Sequence, residues 1–409
     1  MASGLTACSS GDEPGGTAGG RTALDVWLMR DSVSAAFQEE FETGFEKAHP
    51  EIDVRIQIQE WEGIGEKVTA ALASNDAPDV IEVGNTQVAQ YAQSGGLTDL
   101  TDQVAALGGD DWLKGLAEPG AHDGRQYGIP YYAANRVVVY RTDLFEKAGV
   151  DAERIRTREQ WIAATRKLNQ DGTQGIYLPG QNWYTLAGFI WDEGGDLAVR
   201  ASDGEWRGGL DSPEALRAMA FYQRLQALGD GPKDSDEAQP PQAEVMAKGE
   251  VAQIISTPGG AGVVVQNNPE LEGRLGFFPI PGKTAATPGA VFTGGSDLVV
   301  PAVAAHQDEA LTFIGELTGD TWQKKLAVAM SYVPNKTTLA GAVAADPGAA
   351  AMAVGAANGH ATPNTPEWAA VEAKNPIKEY MTAVLTGRDA KSEAAKASRT
   401  ITTTLNSGS

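Results

Sequence analysis

From Ala23 onward, short apolar runs alternate with spaced apolar stripes. Leu24-Asp25-Val26-Trp27-Leu28-Met29 is the kind of short run that fills a buried strand. Phe37, Phe41 and Phe45 recur every fourth residue, one face of a helix that His49-Pro50 is expected to end. Ile52, Val54, Ile56 and Ile58 alternate strictly and predict a strand with one buried face. A helix over about 63–74 and a strand over Asp79–Val83 complete a β-α-β-α-β run, which implies a sheet covered by helices on both faces.

The alternation resumes after Pro130. Arg136–Tyr140 reads as a strand, and Thr157 with Gln160 as a capping-box start for a helix carrying Trp161, Ile162, Thr165 and Leu168. Ser212-Pro213-Glu214 opens another helix, with proline at its first position. Val251–Ile255 and Leu275–Phe278 are further strand candidates, and the Ala/Gly-rich stretch 340–361 reads as a helix plus loop. No period of some 20–50 residues repeats, which excludes solenoids and propellers. The expected class is α/β.

The length of 409 residues predicts two or three domains, and 42% hydrophobic with 21% charged residues is ordinary for a globular chain. Acidic residues outnumber basic ones, 54 to 32, giving a net charge of −22. Such a surface repels phosphate backbones and anionic lipid, so nucleic acid is not expected as a partner. No run approaches the roughly 18 apolar residues of a membrane span.

The single cysteine, Cys8, excludes an internal disulfide and cysteine-based metal sites. Leu5-Thr6-Ala7-Cys8 resembles a bacterial lipobox, and the Gly/Ser-rich residues that follow to Arg21 read as a flexible tether. The expectation is an acylated Cys8 holding the protein to the outer face of a Gram-positive membrane, with Met1–Gly4 an expression scar in place of the signal peptide. Residues 1–21 are thus expected to be anchor and tether.

Catalytic motifs fail on inspection. The four histidines are scattered and none belongs to an HExxH pattern, so no metal is expected. Gly282-Lys283-Thr284 lacks the glycine spacing of a phosphate-binding loop, and Pro279 and Pro281 remove backbone donors. Gly294-Gly295-Ser296-Asp297 lacks the final glycine of a nucleophile elbow. Asp110-Asp111 and Asp192-Glu193 are adjacent acids that read as solvated surface rather than a hydrolytic pair. No cofactor is expected. Aromatics stand out instead: Trp183-Tyr184, Trp191 and Trp368 lie beside Gly, Asn and Pro in segments that read as loops, with Trp112 and Trp206 in similar surroundings. An exposed ring beside amides suits the apolar face of a pyranose.

Several segments then bring a family into view. They are Leu24–Met29, Ala77–Thr86, Tyr91–Leu97, Tyr127–Tyr132, Val139–Phe145 and Phe292–Ser296. In this order and spacing the chain resembles the extracellular solute-binding proteins of carbohydrate ABC importers, the group that includes bacterial maltose-binding protein. The resemblance implies two α/β lobes of the periplasmic-binding-protein type joined by hinge crossings. The lobes expected are 22–134 plus 298–335, and 137–290 plus 340–405. It implies a non-enzymatic monomer that closes on a sugar and delivers it to permease subunits.

Site residues carried over by position are Arg30, Asp31 and Ser32 after the first strand, and Asn85, Thr86 and Gln87 after the third. The neutrality of the second set departs from a charged pair in maltose-binding protein. Asn135 falls at the first crossing, and Asn182, Trp183 and Tyr184 match a segment that holds a ligand-facing tyrosine. Gly294, Gly295 and Ser296 offer backbone donors, while Trp191 and Trp368 are further expected stacking rings. Several rings favour a di- to tetrasaccharide, with malto-oligosaccharides or acarbose-like pseudo-oligosaccharides first. Chitobiose, cellobiose, xylobiose and trehalose stay open, as do an extracellular glycoside hydrolase and a polyamine or peptide cargo.

Overall fold

The computed structural model describes residues 20–407 except Asp31, Glu62 and Asn75, so the expected lipidation site Cys8 and the candidate ligand residue Asp31 lie outside the described residues. The first run of elements is β1 (Thr22–Met29), α1 (Ala35–Ala48), β2 (Ile52–Gln59), α2 (Ile64–Leu72) and β3 (Val80–Gly84). Helix α1 starts where the Ser34 hydroxyl accepts from the Phe37 amide, 3.2 Å away, and its cap at His49 precedes Pro50. Its phenylalanine stripe packs on Trp322 and Phe313, with ring centroids 4.9 and 5.2 Å from Phe41. The buried face expected of β2 is incomplete: Ile52 is buried but Ile58 is 36% exposed, because β2 is the edge of its sheet.

After β4 (Gly128–Ala134), only Asn135 and Arg136 precede β5 (Val137–Arg141), which belongs to a different sheet. Then come α3 (Arg158–Leu168), α4 (Trp183–Asp192), α5 (Pro213–Gln226), β6 (Gln253–Ser256) and β7 (Leu275–Pro279). The Thr157–Gln160 capping box opens α3, and Ser212 caps α5. The Trp161 indole donates to Gln253 Oε1 at 2.8 Å and so ties α3 to β6 inside the core.

The chain returns to the first sheet as β8 (Gly294–Val299) and β9 (Val333–Pro334). It then forms α6 (Pro347–Ala356) from the Ala-rich stretch and α7 (Trp368–Lys374). The first sheet runs β9-β4-β8-β3-β1-β2, with β1 parallel to both β2 and β3 and β8 antiparallel to β3 and β4. The second runs β6-β5-β7 and is antiparallel.

Two large apolar cores follow these sheets. One is centred on Phe41, Phe45, Phe313 and Tyr131, the other on Trp161, Phe189, Tyr222 and Trp368. A smaller cluster joins Ala133 and Val333 of one sheet to Val137 and Val139 of the other through Met352 of α6, and so packs the crossing itself. The molecule is a two-lobed α/β protein.

One expectation about elements is corrected. The segment holding Trp183 and Trp191 is no loop: it forms α4, of which eight of ten residues are buried. Its neighbouring Asn182 is the helix cap, its side chain accepting from the Thr185 amide at 3.2 Å. Gly188 lies where an added Cβ would sit 2.4 Å from the Ala290 carbonyl. The polar and small neighbours that suggested a loop serve capping and close packing. Asp192 and Glu193 likewise are not solvated: both pair with the buried guanidinium of Arg158, at 2.6 and 3.0 Å.

Candidate functional site: an aromatic cleft between the lobes

A cavity of about 490 Å³ opens between the two sheets. From the first lobe it is lined by Trp61 after β2, by Ile64 and Val68 of α2, and by Glu82 to Gln87 at the end of β3. Tyr132, Tyr332 and Gly294 to Ser296 continue that wall, while Arg136, Tyr184, Thr257 and Phe292 form the other. Parallel strands β1 and β3 end at this edge, so the loops after them are held at the cleft by rigid sheet.

Trp61 is the most exposed ring, at 44%, and its indole donates to the Arg30 carbonyl across 3.1 Å. Tyr132 and Tyr332 stack in parallel, 4.1 Å apart. Tyr184 lies on Phe292 with centroids 4.6 Å apart, and the Arg136 guanidinium sits 4.6 Å from the tyrosine ring. Arg136 also pairs with Glu237.

Glu82 is fully buried at the base. It accepts from the Ser32 hydroxyl at 2.6 Å, the Met29 amide at 2.8 Å and the Tyr132 hydroxyl at 3.3 Å, and Ser296 donates to that same tyrosine oxygen. Burial pushes the Glu82 carboxyl above its usual range, while these donors pull it back. Burial also pushes Tyr91 up to about 12 and Tyr184 higher still. These phenols therefore stay neutral donors at physiological pH. Among the residues lining the cavity, Glu82 alone is a carboxylate, and its oxygens are already engaged. Glycosidic hydrolysis needs two carboxyl groups about 5–9.5 Å apart across the bond, and the lining supplies no such pair.

Of the residues expected from sequence, Asn85, Thr86, Gln87, Tyr184, Gly294, Gly295 and Ser296 meet at this cavity. Asn85 is buried and donates to the Thr293 carbonyl at 3.3 Å, while Thr86 and Gln87 both donate to Glu372. Gly295 has φ +154, and a Cβ there would stand 2.1 Å from the Tyr132 carbonyl, so glycine is required.

The others lie elsewhere. The Arg30 side chain turns outward to Glu60, and Ser32 supports Glu82 from behind. Asn135 is buried at the crossing, where a Cβ added at Gly355 of α6 would stand 2.8 Å from its amide nitrogen, and Asn182 caps α4. Trp183 and Trp368 are buried in the second lobe's core, 4% and 1% exposed, and Trp191 stacks on His360 at 5.2 Å. Burial removes them as platforms because the ring faces are already covered by protein.

Sequence reasoning missed Trp61, Glu82, Tyr132, Arg136, Thr257, Phe292 and Tyr332. Trp61 carried a readable signal, since it stands between Glu60 and Glu62 just ahead of Gly63, where an apolar ring has no strand or helix stripe to join.

The sequence profile of the bacterial extracellular solute-binding proteins matches residues 30–324. The chain is 40% identical over 375 residues to the diacetylchitobiose binding protein DasA of Streptomyces coelicolor, covering 91% of this chain and 87% of that one. In structure it is similar to the sugar-binding protein MalE of Xanthomonas citri, with a TM-score of 0.82, 23% identity, and 95% and 98% of the two chains covered. It is also similar to the GacH receptor of Streptomyces glaucescens, with a TM-score of 0.80, 23% identity, and 94% and 98% covered. All three are named as binding proteins or receptors. With two lobes, a cleft between them and a profile match over most of its length, the chain belongs to the bacterial extracellular solute-binding proteins, family 1, the sugar-binding receptors of ABC importers.

Proposed function

We propose that the cleft takes a short β-linked amino-sugar oligosaccharide, N,N′-diacetylchitobiose or a near relative, and that lobe closure presents it to the permease. The observation that carries this reading is the 40% identity over nearly the whole chain to a protein named for that disaccharide. The cleft chemistry supports it. An acetamido group needs an apolar niche for its methyl and polar partners for its amide, and Ile64, Val68 and Tyr91 line the same cavity as Asn85 and Gln87. Trp61, Tyr184 and Phe292 supply ring faces for two pyranoses, and Arg136, Thr257 and the Gly294–Gly295 backbone supply donors and acceptors for hydroxyls. The cavity of about 490 Å³ suits a disaccharide better than a long glucan.

On this reading 22–134 with 298–335 and 137–290 with 340–405 are the moving lobes of a monomer tethered through acylated Cys8. Malto-oligosaccharides and their acarbose-like analogues, expected first from the resemblance, become the competing class. Calorimetric titration with diacetylchitobiose, N-acetylglucosamine, maltose, maltotriose, acarbose, cellobiose, xylobiose and trehalose separates them. Tightest binding of diacetylchitobiose is expected. Tighter binding of a maltose-series sugar, or cleavage of any of these glycans, overturns the reading.

A further inference from the structure

Residue Glu372 stands outside the cavity lining yet reaches the opposite lobe. It lies on α7, whose first residue, Trp368, is 1% exposed inside the second lobe's core, so this helix belongs to that lobe. Its Oε2 accepts from Thr86 Oγ1 at 3.0 Å and from Gln87 Nε2 at 3.4 Å. Those two donors sit in the single turn after β3, and β3 is fixed in the first sheet by its ladder with β8, Ser296 facing Gly84. Carboxylate and donors are therefore carried by different bodies. Any rotation that opens the cleft separates them.

We propose that Glu372 is a latch between the lobes, and that its hydrogen bonds to Thr86 and Gln87 set how far the receptor closes before sugar arrives. This rests on the hinge-closing receptor described above. The chemistry favours a switch over a static contact. A half-buried carboxylate keeps its cross-lobe hydrogen bonds only while those donors reach it, and water replaces them once the lobes part. Burial pushes the Glu372 carboxyl up, and hydrogen bonds from Thr86, from Trp368 of its own helix and from Gln87 oppose that shift. Thr86 and Gln87 also line the cavity, so a ligand that touches either one senses the latch directly. Because apparent affinity scales with the fraction of receptor already competent to bind, a latch that favours the closed form raises affinity without touching the sugar.

The test compares wild type, Glu372→Ala, Glu372→Gln, Thr86→Val and the Thr86→Val/Glu372→Ala double variant. Small-angle X-ray scattering on the sugar-free proteins reads closure, and titration with diacetylchitobiose reads affinity. The expected results are a larger radius of gyration for Glu372→Ala and Thr86→Val, and a return toward wild type for Glu372→Gln, whose carbonyl still accepts from Thr86. Affinity is expected to fall about tenfold in Glu372→Ala, and the double variant is expected to scatter as Glu372→Ala does. Identical scattering from wild type and Glu372→Ala, or expansions that simply add in the double variant, overturns the latch. If wild type binds none of this sugar, the ligand assignment fails while the scattering comparison still decides the latch.

Discussion

Two tryptophans, Trp61 and Trp183, are expected to behave oppositely when cut to alanine. Trp61 is 44% exposed at the cleft, and its indole donates to the Arg30 carbonyl. An indole presents up to about 250 Å², so roughly 110 Å² is open here, and a pyranose covering one face removes about half of it. At about 25 cal/mol per Å², that burial is worth ~1.4 kcal/mol. Stacking adds about 1 kcal/mol, and the sum of ~2.4 kcal/mol corresponds to about a sixty-fold loss of affinity in Trp61→Ala. Folding stability should hardly change, since little protein covers the ring. Trp183, 4% exposed and 6.5 Å from Trp368 across the second core, is the reverse case. Emptying it costs about 3–5 kcal/mol of stability, with affinity affected only through Tyr184, whose ring lies 4.0 Å away. Calorimetric titration with diacetylchitobiose and urea melts on both variants provide the measurements. Trp61→Ala binding within threefold of wild type would refute the stacking role, and an unchanged melt for Trp183→Ala would refute the packing argument.

Arg158→Leu leaves Asp192 and Glu193 facing each other without their shared buried cation, and should destabilise by about 3–5 kcal/mol in urea melts. A loss below ~1 kcal/mol would mean that Arg217 and Lys283, which also reach Glu193, hold the cluster alone. Asp297 is buried with neither carboxyl oxygen hydrogen-bonded, and burial holds its pKa well above the usual value, so the folded chain keeps a proton that the unfolded chain releases above about pH 4. Stability from this group is therefore present at low pH and lost as pH rises, and the thermal advantage of Asp297→Asn over wild type should widen from pH 4 to pH 8. Parallel melting curves across that range would show that the carboxyl is not titrating.

The elements were legible wherever a residue's role is local. The phenylalanine stripe of α1, the Thr157–Gln160 box and the Ser212-Pro213 start all act within one or two turns, and the structure has them in place. The cleft was half legible for a related reason. Asn85 to Gln87 follow β3 and Gly294 to Ser296 open β8 of the same sheet, so their position along the chain already fixes them at its edge. The burial of Trp183 was not legible, because an indole beside Gly and Asn has the same local composition whether those neighbours cap a helix or face a groove. What separates Trp183 from Trp61 is contact with residues far along the chain: Phe292 and Trp368 cover the one, and no comparable core forms over the other. Arg136 and Glu372 are harder still, since each matters only through a group on another segment, Tyr184 and Glu237 for the arginine and Thr86 for the glutamate. A carboxylate 286 positions from its donor carries no periodicity or motif. Residues that control the cleft through contact between lobes are therefore the ones a single sequence conceals, and the hinge geometry that exposes them is also what makes them testable.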